Sequence, residues 1–207
     1  MIILLTIIVI SPYLTRNILV FDTITITKSI GFNLWKGNNP QTDVEGKNYI
    51  YDSIFNLEDL DLREQINKVP KDKYYEINLD KVFLSEGIKN IKNDPIKYFG
   101  LYLKKILSFL FIDLNSSNSY YYHPLHYLPV LFISITSIIG IILSKKNSYQ
   151  INFLILFFIV NVAIVSVFFI LPRYKFAIIP LQIIFSNIFF EYIKNKITYF
   201  IRKDNFL

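Results

Sequence analysis

The 207-residue chain contains no cysteine and only two histidines, His123 and His126. Without cysteine the protein has no disulfide bond, no catalytic thiol and no cysteine-ligated zinc or iron–sulfur centre. Two histidines argue against a histidine-rich metal centre, and their HPLH spacing suits a metal pair only if the stretch is helical in spite of Pro124. We therefore predict no cofactor, and the sequence does not indicate a divalent metal.

Charged residues are also scarce. They make up 18% of the chain, against about 25% in an average soluble protein. No charged side chain occurs from residue 147 to residue 172, and 53% of all residues are apolar. One soluble core of this size needs less apolar material than that, so we expect a bilayer to surround part of the chain.

The charges that are present are unevenly divided. Residues 12–95 carry 11 basic and 13 acidic side chains, a net charge of −2, whereas residues 96–207 carry 11 and 3, a net charge of +8. The basic excess thus accompanies the hydrophobic half, where it suits anionic lipid headgroups better than a nucleic-acid groove. We expect membrane lipids, and no nucleic acid, as partners.

Long apolar runs predict the membrane spans, because a helix needs about 20 residues to cross ~30 Å of hydrocarbon. Residues 127–143, 151–171 and 174–192 are predicted to span, the last with a kink at Pro180. The positive-inside rule places the lysine-containing loop at 145–146 and the basic C-terminal tail in the cytoplasm. We therefore predict a protein of the bacterial inner membrane with residues 12–126 extracytoplasmic.

The N-terminus is strongly apolar but short. Its first ten residues, MIILLTIIVI, reach only about 15 Å as a helix, half of the hydrocarbon thickness. A signal peptide is the alternative, although the run lacks a basic region before it and a small-residue cleavage site after it. We interpret residues 1–11 as a partial transmembrane helix, the outer half of a truncated span.

Residues 12–94 show a mixed pattern. The alternation in FDTITIT at 21–27 predicts a short strand, and the GFNLWKGNNP stretch at 31–40 predicts turns. Two helices should follow. The first, capped by Asn56, is expected to have Leu57, Leu60 and Ile66 on one face, and the second, at 79–93, to have Val82, Ile88 and Ile91 inward.

The helix predicted at 95–113 is amphipathic. Asp94 is a good N-cap residue and Pro95 a good first helical residue. Lysines lie along one side of this helix and a broad apolar face lies opposite, which is typical of an interfacial helix. The predicted fold is therefore mainly α: polytopic membrane helices, an extracytoplasmic mixed segment at 12–94, the interfacial amphipathic helix, and a three-span region with a cytoplasmic tail at 114–207.

Several strings together carry a family resemblance. They are Pro12 with Arg16 and Asn17, the GFNLW and GNNP elements at 31–35 and 37–40, the IKNIKNDPIKYFGLYLKKIL stretch at 88–107, and Arg173–Tyr174 followed by Pro180. With them the chain resembles the C-terminal portion of bacterial integral-membrane glycosyltransferases of the GT-C architecture, of the protein-mannosyltransferase and aminoarabinose-transferase type. Asp94 stands where that family usually has asparagine.

The resemblance implies transfer of a sugar from a polyprenyl-phosphate carrier to a lipid, glycan or protein acceptor. The family's catalytic carboxylate lies in a first outward loop that has no counterpart in these residues, so we expect no catalytic residue here. An N-terminal half encoded upstream is the expected partner, and the chain alone is expected to be inactive. The alternative is a non-enzymatic membrane remnant, or a partner subunit that packs against another helix bundle.

A lipid-phosphate donor needs cations at the depth of its head group, with an apolar groove beneath. Cations at the predicted outer boundaries are therefore candidates for phosphate binding: Arg16, Lys104, Lys105, Arg173 and Lys175. Each could instead anchor its helix by snorkelling. Candidates for lining the substrate are Trp35, Asn38, Asn39 and Tyr174.

For some of these residues a structural role competes with the functional one. Trp35 could be an interface anchor, and Asn38 and Asn39 could simply form a turn. The acidic cluster Glu58, Asp59, Asp61 and Glu64 could supply an acid–base pair, or it could be the solvated face of a helix.

Overall fold

The computed structural model describes residues 2–27, 29–46, 60–116, 122–144 and 148–204, and every regular element in these ranges is helical. The elements are α1 (Ile2–Phe21), α2 (Ile30–Gly37), α3 (Leu60–Asn67), α4 (Tyr75–Asn93), α5 (Pro95–Leu110), α6 (Pro124–Leu143), α7 (Tyr149–Ser166), a 3-10 helix (Pro172–Ala177) and α8 (Ile179–Asp204). The predicted mainly-α fold is thereby confirmed. The chain forms two compact units, one from residues 1–42 and 47–95 and one from residues 43–46 and 96–207.

Three helices are long and apolar enough to cross a membrane: Leu4–Phe21, Pro124–Leu143 and Tyr149–Ser166. The last two correspond to the first two predicted spans. The predicted third span, 174–192, is instead divided between the 3-10 helix and α8, which is not among the three. The apolar sequences of the three long helices favour a helical backbone in lipid, because every backbone group there must be hydrogen-bonded within its own segment.

Helix α1 differs from the partial helix predicted for residues 1–11. It continues through Pro12 and ends at Phe21, a length of 20 residues. The sequence after Pro12 remains apolar enough to extend the helix, and a proline is tolerated inside a membrane helix when neighbouring groups compensate for the lost hydrogen bond.

The strand predicted at residues 21–27 is wrong. Phe21 ends α1, and Asp22 follows in the left-handed region with φ of 53°. The Asn17 amide donates to the Thr25 carbonyl at 2.7 Å, and the Thr25 hydroxyl donates to the Thr27 carbonyl at 2.6 Å. These local side-chain hydrogen bonds replace the ladder that the alternating pattern suggested.

In the first unit α2 packs against α4. The backbone N–H groups of Gly31 and Phe32 donate to the Asp80 carboxylate at 3.0 and 2.8 Å, so an acidic side chain from α4 caps the N-terminus of α2. The helices approach closely at Gly31, where a Cβ would overlap the Asp80 carbonyl. Around this contact the core consists of Trp35, Leu62, Ile66 and Phe83, with Phe32, Leu79 and Val82 against it.

The two helices predicted in this unit are present with different bounds and faces. Helix α4 begins at Tyr75, and Ile88 is exposed on it while Phe83 is buried. Helix α3 buries Ile66 and Leu62 but exposes Leu60. The predicted cap Asn56 and Leu57 lie outside the described residues.

In the second unit α6 and α8 form a tightly packed pair. A Cβ on Gly140 would overlap the Phe185 carbonyl oxygen, so glycine is required for this approach. The hydroxyls of Thr136 and Ser186 lie 2.9 Å apart within the contact. Next to it lies an apolar cluster that includes Phe109, Phe158, Val162, Ile178, Leu181 and Phe185.

Helix α5 is turned so that part of its predicted apolar face lies outward. Ile96, Phe99, Leu103 and Leu107 are exposed, together with Lys97 and Lys104. Its other side is buried within the second unit and consists of Tyr98, Leu101, Lys105, Ser108 and Phe109. The lysine-bearing side is therefore only partly accessible, since Lys105 is enclosed while Lys104 is not.

We predict that Gly140→Ala destabilises the second unit by about 1–3 kcal/mol, because a methyl group cannot enter the α6–α8 contact without moving backbone. The control is Gly100→Ala in α5, where no atom other than the neighbouring residues and backbone of the same helix lies within 4 Å of the new Cβ. Alanine there should stabilise the helix by about 0.5–1 kcal/mol. Thermal unfolding in detergent measures both variants, and equal effects would contradict the packing.

Candidate functional site

Two adjoining pockets lie in the second unit. The smaller, of about 230 Å³, is here called the basic pocket; it is lined by His126, Arg173 and Lys175 among apolar residues. The larger, of about 640 Å³, is called the apolar pocket; it is lined by Leu107, Phe111, Ile112, Leu114, Tyr122, Tyr127 and Leu131. Ile112 and Tyr127 line both pockets, so the two pockets share part of their wall.

The 3-10 helix Pro172–Ala177 positions the two cations of the basic pocket. It fills the short connection between α7 and α8, and Pro172 begins it with a fixed φ that suits a first helical turn. The Arg173 guanidinium lies 5.6 Å from the centre of the Tyr174 ring, within cation–π range. The neighbouring Phe169 ring packs against Tyr174, with 5.9 Å between the ring centres.

Lys175 is the more deeply buried of the two cations. Its side chain is enclosed, and its ammonium donates to the Phe111 carbonyl just after the end of α5. Burial lowers the pKa of Lys175 to about 8, although the charge of Asp113 opposes this change. A lysine in this state gains from an anion that enters the pocket.

Asp113 is a buried carboxylate next to the site. Its Oδ1 accepts the Asn115 N–H at 3.0 Å, and the Tyr122 hydroxyl donates to its main-chain carbonyl at 3.2 Å. Burial raises the pKa of Asp113, as do the charges of Glu45 and Asp43, whereas Lys175 lowers it. Sequence reasoning missed Asp113, although it is the one acidic residue between positions 96 and 190.

The structure distributes the predicted phosphate-binding residues over several places. Arg173 and Lys175 line the basic pocket. Lys104 is exposed on α5, and Lys105 is buried on the same helix; neither is among the residues that line the two pockets. Arg16 belongs to the first unit, where it donates to the Asn17 side-chain oxygen at 3.1 Å.

The predicted substrate-lining residues of the first unit have structural contacts. Trp35 is only 3% exposed and packs against Phe83, with 5.0 Å between ring centres. The Asn38 amide donates to the Leu34 carbonyl at 2.8 Å, and the Asn39 amide to the Trp35 and Lys36 carbonyls at 3.3 and 3.2 Å. The two asparagines thus satisfy the last carbonyls of α2. Tyr174, the fourth candidate, lies beside the basic pocket in the second unit.

The remaining candidates do not form a site in the described residues. Glu58 and Asp59 lie outside them, and Glu64 forms an exposed ion pair with Lys68 at 2.6 Å, which fits a solvated face. In the part of the chain that the structure describes, no group of three or more acidic or histidine side chains could hold a metal ion.

Comparisons with protein-family models, with curated proteins and with solved structures found no match. The helical fold and the two pockets therefore define the class of protein. It is a helical protein with three helices long and apolar enough to cross a membrane, and it has a basic pocket that shares wall residues with an apolar one. This arrangement can bind an amphiphile with an anionic head.

We predict that Lys105 makes stability depend on pH. Burial lowers its pKa from 10.5 to about 7, so between these values the unfolded state binds more protons and stability rises with pH. From pH 7 to 8.5 the Tm should rise by about 2–6 °C. Lys105→Met should abolish most of this rise and raise the Tm at pH 7, whereas the exposed neighbour Lys104→Met should retain the rise. Parallel slopes for the two variants would refute the assignment.

Proposed function

We propose that this chain binds the polyprenyl-phosphate-linked sugar donor of a membrane glycosyltransferase of the GT-C type. Arg173 and Lys175 hold the phosphate, and the isoprenoid chain occupies the apolar pocket. One observation carries the proposal: a pocket with two cations lies next to an apolar pocket in the same unit, and the two share the wall residues Ile112 and Tyr127. An amphiphilic phosphate requires this combination, whereas a soluble anion does not need the apolar part.

The electrostatics support a phosphate at the basic pocket. A guanidinium forms bidentate hydrogen bonds with phosphate oxygens, and an ammonium adds a point charge with three donors. Arg173 and Lys175 supply one of each. Because Lys175 is nearly excluded from solvent, an anion beside it offsets part of the cost of burying its charge.

The pocket sizes support a division between head and tail. The basic pocket, at about 230 Å³, is smaller than the ~300–1,000 Å³ typical of sites that enclose a whole drug-sized ligand. The apolar pocket, at about 640 Å³, lies within that range. The head group therefore fits the first pocket, and only the adjoining part of a long isoprenoid chain fits the second.

We further propose that the site faces the extracytoplasmic side of a bacterial inner membrane. Arg173 follows α7, and the lysines at 145–146 precede it, so the positive-inside rule assigns the two ends of this helix to opposite sides. In this topology α1 crosses the membrane and the outward region begins near residue 22. Helix α5 then lies in the interface with its exposed apolar side chains in the lipid.

The transfer step needs a catalytic carboxylate, which the family resemblance assigns to a preceding helix bundle. We propose that such a bundle, encoded upstream, is the partner of this chain. Deleting the gene in its host tests the catalytic part of the proposal. Lipid mass spectrometry should then show accumulation of a polyprenyl-phosphate sugar, while an unchanged lipid profile would favour the non-enzymatic alternative.

We predict that Arg173→Ala and Lys175→Ala each weaken polyprenyl-phosphate binding about 10- to 100-fold, because each removes a charge-assisted hydrogen bond worth about 1.5–3 kcal/mol. Lys97→Ala, which removes an exposed lysine of α5, is the matched control and should leave the affinity unchanged. Native mass spectrometry of the protein in nanodiscs measures the affinities.

A steric variant addresses the pocket independently of charge. Val130 lines the basic pocket, so Val130→Trp should fill it and reduce binding in the same assay. The phosphate site would be refuted if Arg173→Ala, Lys175→Ala and Val130→Trp all bound as tightly as the Lys97→Ala control.

We predict that α5 lies in the membrane interface, which the absence of native cysteine makes simple to test with single-cysteine variants. Spin labels at Phe99→Cys and Leu103→Cys should be more accessible to oxygen, which concentrates in lipid, than to a water-soluble nickel chelate. Labels at Lys97→Cys and Lys104→Cys should show the reverse order. Equal accessibility at all four positions would contradict an interfacial orientation.

A further inference from the structure

His126 lines the basic pocket, but the phosphate site described above does not use it. It lies in the first turn of α6, which begins at Pro124 directly after His123. These are the two histidines of the chain. His123 is not among the residues that line either pocket, so the two histidines differ in their relation to the ligand space.

The start of α6 turns one face towards the basic pocket. The His123 carbonyl accepts the His126 N–H at 2.8 Å and the Tyr127 N–H at 3.1 Å, which closes the first turn of the helix. His126 and Val130 both line the pocket, as does Tyr127. Residues four positions apart share a face of a helix. The backbone of this turn therefore fixes the position from which the exposed His126 side chain reaches the pocket.

The two cations of the basic pocket come from a different element. Arg173 and Lys175 belong to the 3-10 helix, whereas His126 belongs to α6. The pocket is small, about 230 Å³, and among the described residues that line it none is acidic. An anion in this space therefore meets polar groups from two helical elements and no competing carboxylate on the wall.

The chemistry of an imidazole suits a further contact with a phosphate. A neutral imidazole has one N–H donor and the protonated form has two. A hydrogen bond to an anion is stronger when the donor is charged. The N-terminal end of a helix also favours a nearby anion through its partial positive charge, and α6 is 20 residues long.

We propose that His126 is a third contact for the lipid phosphate, which it binds from α6 while Arg173 and Lys175 bind from the 3-10 helix. This inference rests on the proposed function of the pocket and adds a residue to it. Because histidine is the side chain that changes its charge between pH 5 and 8, the contact strengthens as the pH falls within this range.

Other titratable and charged groups lie in or near the same pocket. Arg173 and Lys175 line it from the 3-10 helix and Tyr127 from α6. The pKa of Lys175, which burial lowers and the charge of Asp113 raises, is about 8. Lys175 is therefore mostly charged below pH 7.5, and a comparison of variants below that pH isolates the contribution of His126.

The first experiment measures the binding of polyprenyl-phosphoryl-mannose in nanodiscs at pH 7.5 and 5.5 by native mass spectrometry. This probe is a phosphodiester, whose single negative charge is constant over that range. The wild type should bind about 3- to 10-fold more tightly at pH 5.5. His126→Ala should lack this increase, whereas the matched control His123→Ala should retain it.

A conservative variant separates the hydrogen bond from the charge. His126→Gln keeps a side-chain N–H donor but has no titratable group. It should bind more tightly than His126→Ala at pH 7.5 and show the same affinity at pH 5.5. The His126 side chain is exposed, so neither substitution removes a buried contact of the fold.

A second experiment follows the imidazole itself and does not need the lipid. Because the chain has two histidines, labelling with carbon-13 histidine gives two imidazole signals in an NMR spectrum, and His123→Ala assigns them. Dimethyl phosphate, a water-soluble phosphodiester, should shift the His126 signal and leave the His123 signal in place. Sodium chloride at the same ionic strength is the control.

The two experiments separate the two proposals. If the wild type does not bind the polyprenyl probe, the proposed function fails, and the NMR signals still decide whether His126 contacts a phosphate. If the wild type binds, but His126→Ala keeps the wild-type affinity and pH dependence, the role of His126 is refuted. Equal shifts of both histidine signals, or no shift of either, would also contradict it.

Discussion

The contact between α6 and α8 is the constraint on which the second unit depends. Gly140 lets the two helices approach until polar side chains meet across them. The Ser134 hydroxyl on α6 donates to the Leu110 carbonyl at 2.5 Å, and the Gln182 amide on α8 lies 3.4 Å from the same oxygen. The last carbonyl of α5 is satisfied in this way, so the chain can leave the helix there.

The point at which the chain leaves α5 determines which residues form the candidate site. Phe111, Ile112 and Asp113 follow Leu110 directly, and they supply a carbonyl for Lys175, a wall shared by both pockets and the buried carboxylate. Lys175 of the 3-10 helix contacts this loop at the Phe111 carbonyl. Before that helix begins, the Ile170 N–H donates to the Val44 carbonyl at 2.9 Å and ties the chain between α7 and the 3-10 helix to residues 43–46. Helix packing thus brings together groups that are about 60 residues apart in the chain.

Periodic apolar runs made most of the helices predictable, because hydrophobicity and length are properties of a single segment. The spans at α6 and α7 and the start of α5 at Pro95 follow from such local signals. Local patterns were misleading at 21–27, where threonine alternation resembled a strand but the Thr25 hydroxyl donates to the nearby Thr27 carbonyl. Pro12 was similarly taken as a boundary, although the apolar sequence continues to Phe21.

The candidate site was less predictable, because it depends on which face of a helix is buried. Lys104 and Lys105 are neighbours in the sequence, yet one is exposed and the other enclosed, and only tertiary packing decides between them. Asn38 and Asn39 resembled ligand contacts, but the end of a short helix needs their amide donors. Arg173 was predictable as a candidate because it lies in the short connection between α7 and α8, which leaves its side chain few possible positions.

The two buried lysines of the second unit differ in their relation to the pockets. Lys105 and Lys175 are both desolvated, and burial lowers the pKa of each. Lys175, however, lines the basic pocket, whereas Lys105 is not among the residues that line either of the two pockets. An anion that enters the basic pocket can therefore offset the cost of burying the Lys175 charge, which is why Lys175 rather than Lys105 is assigned to phosphate binding.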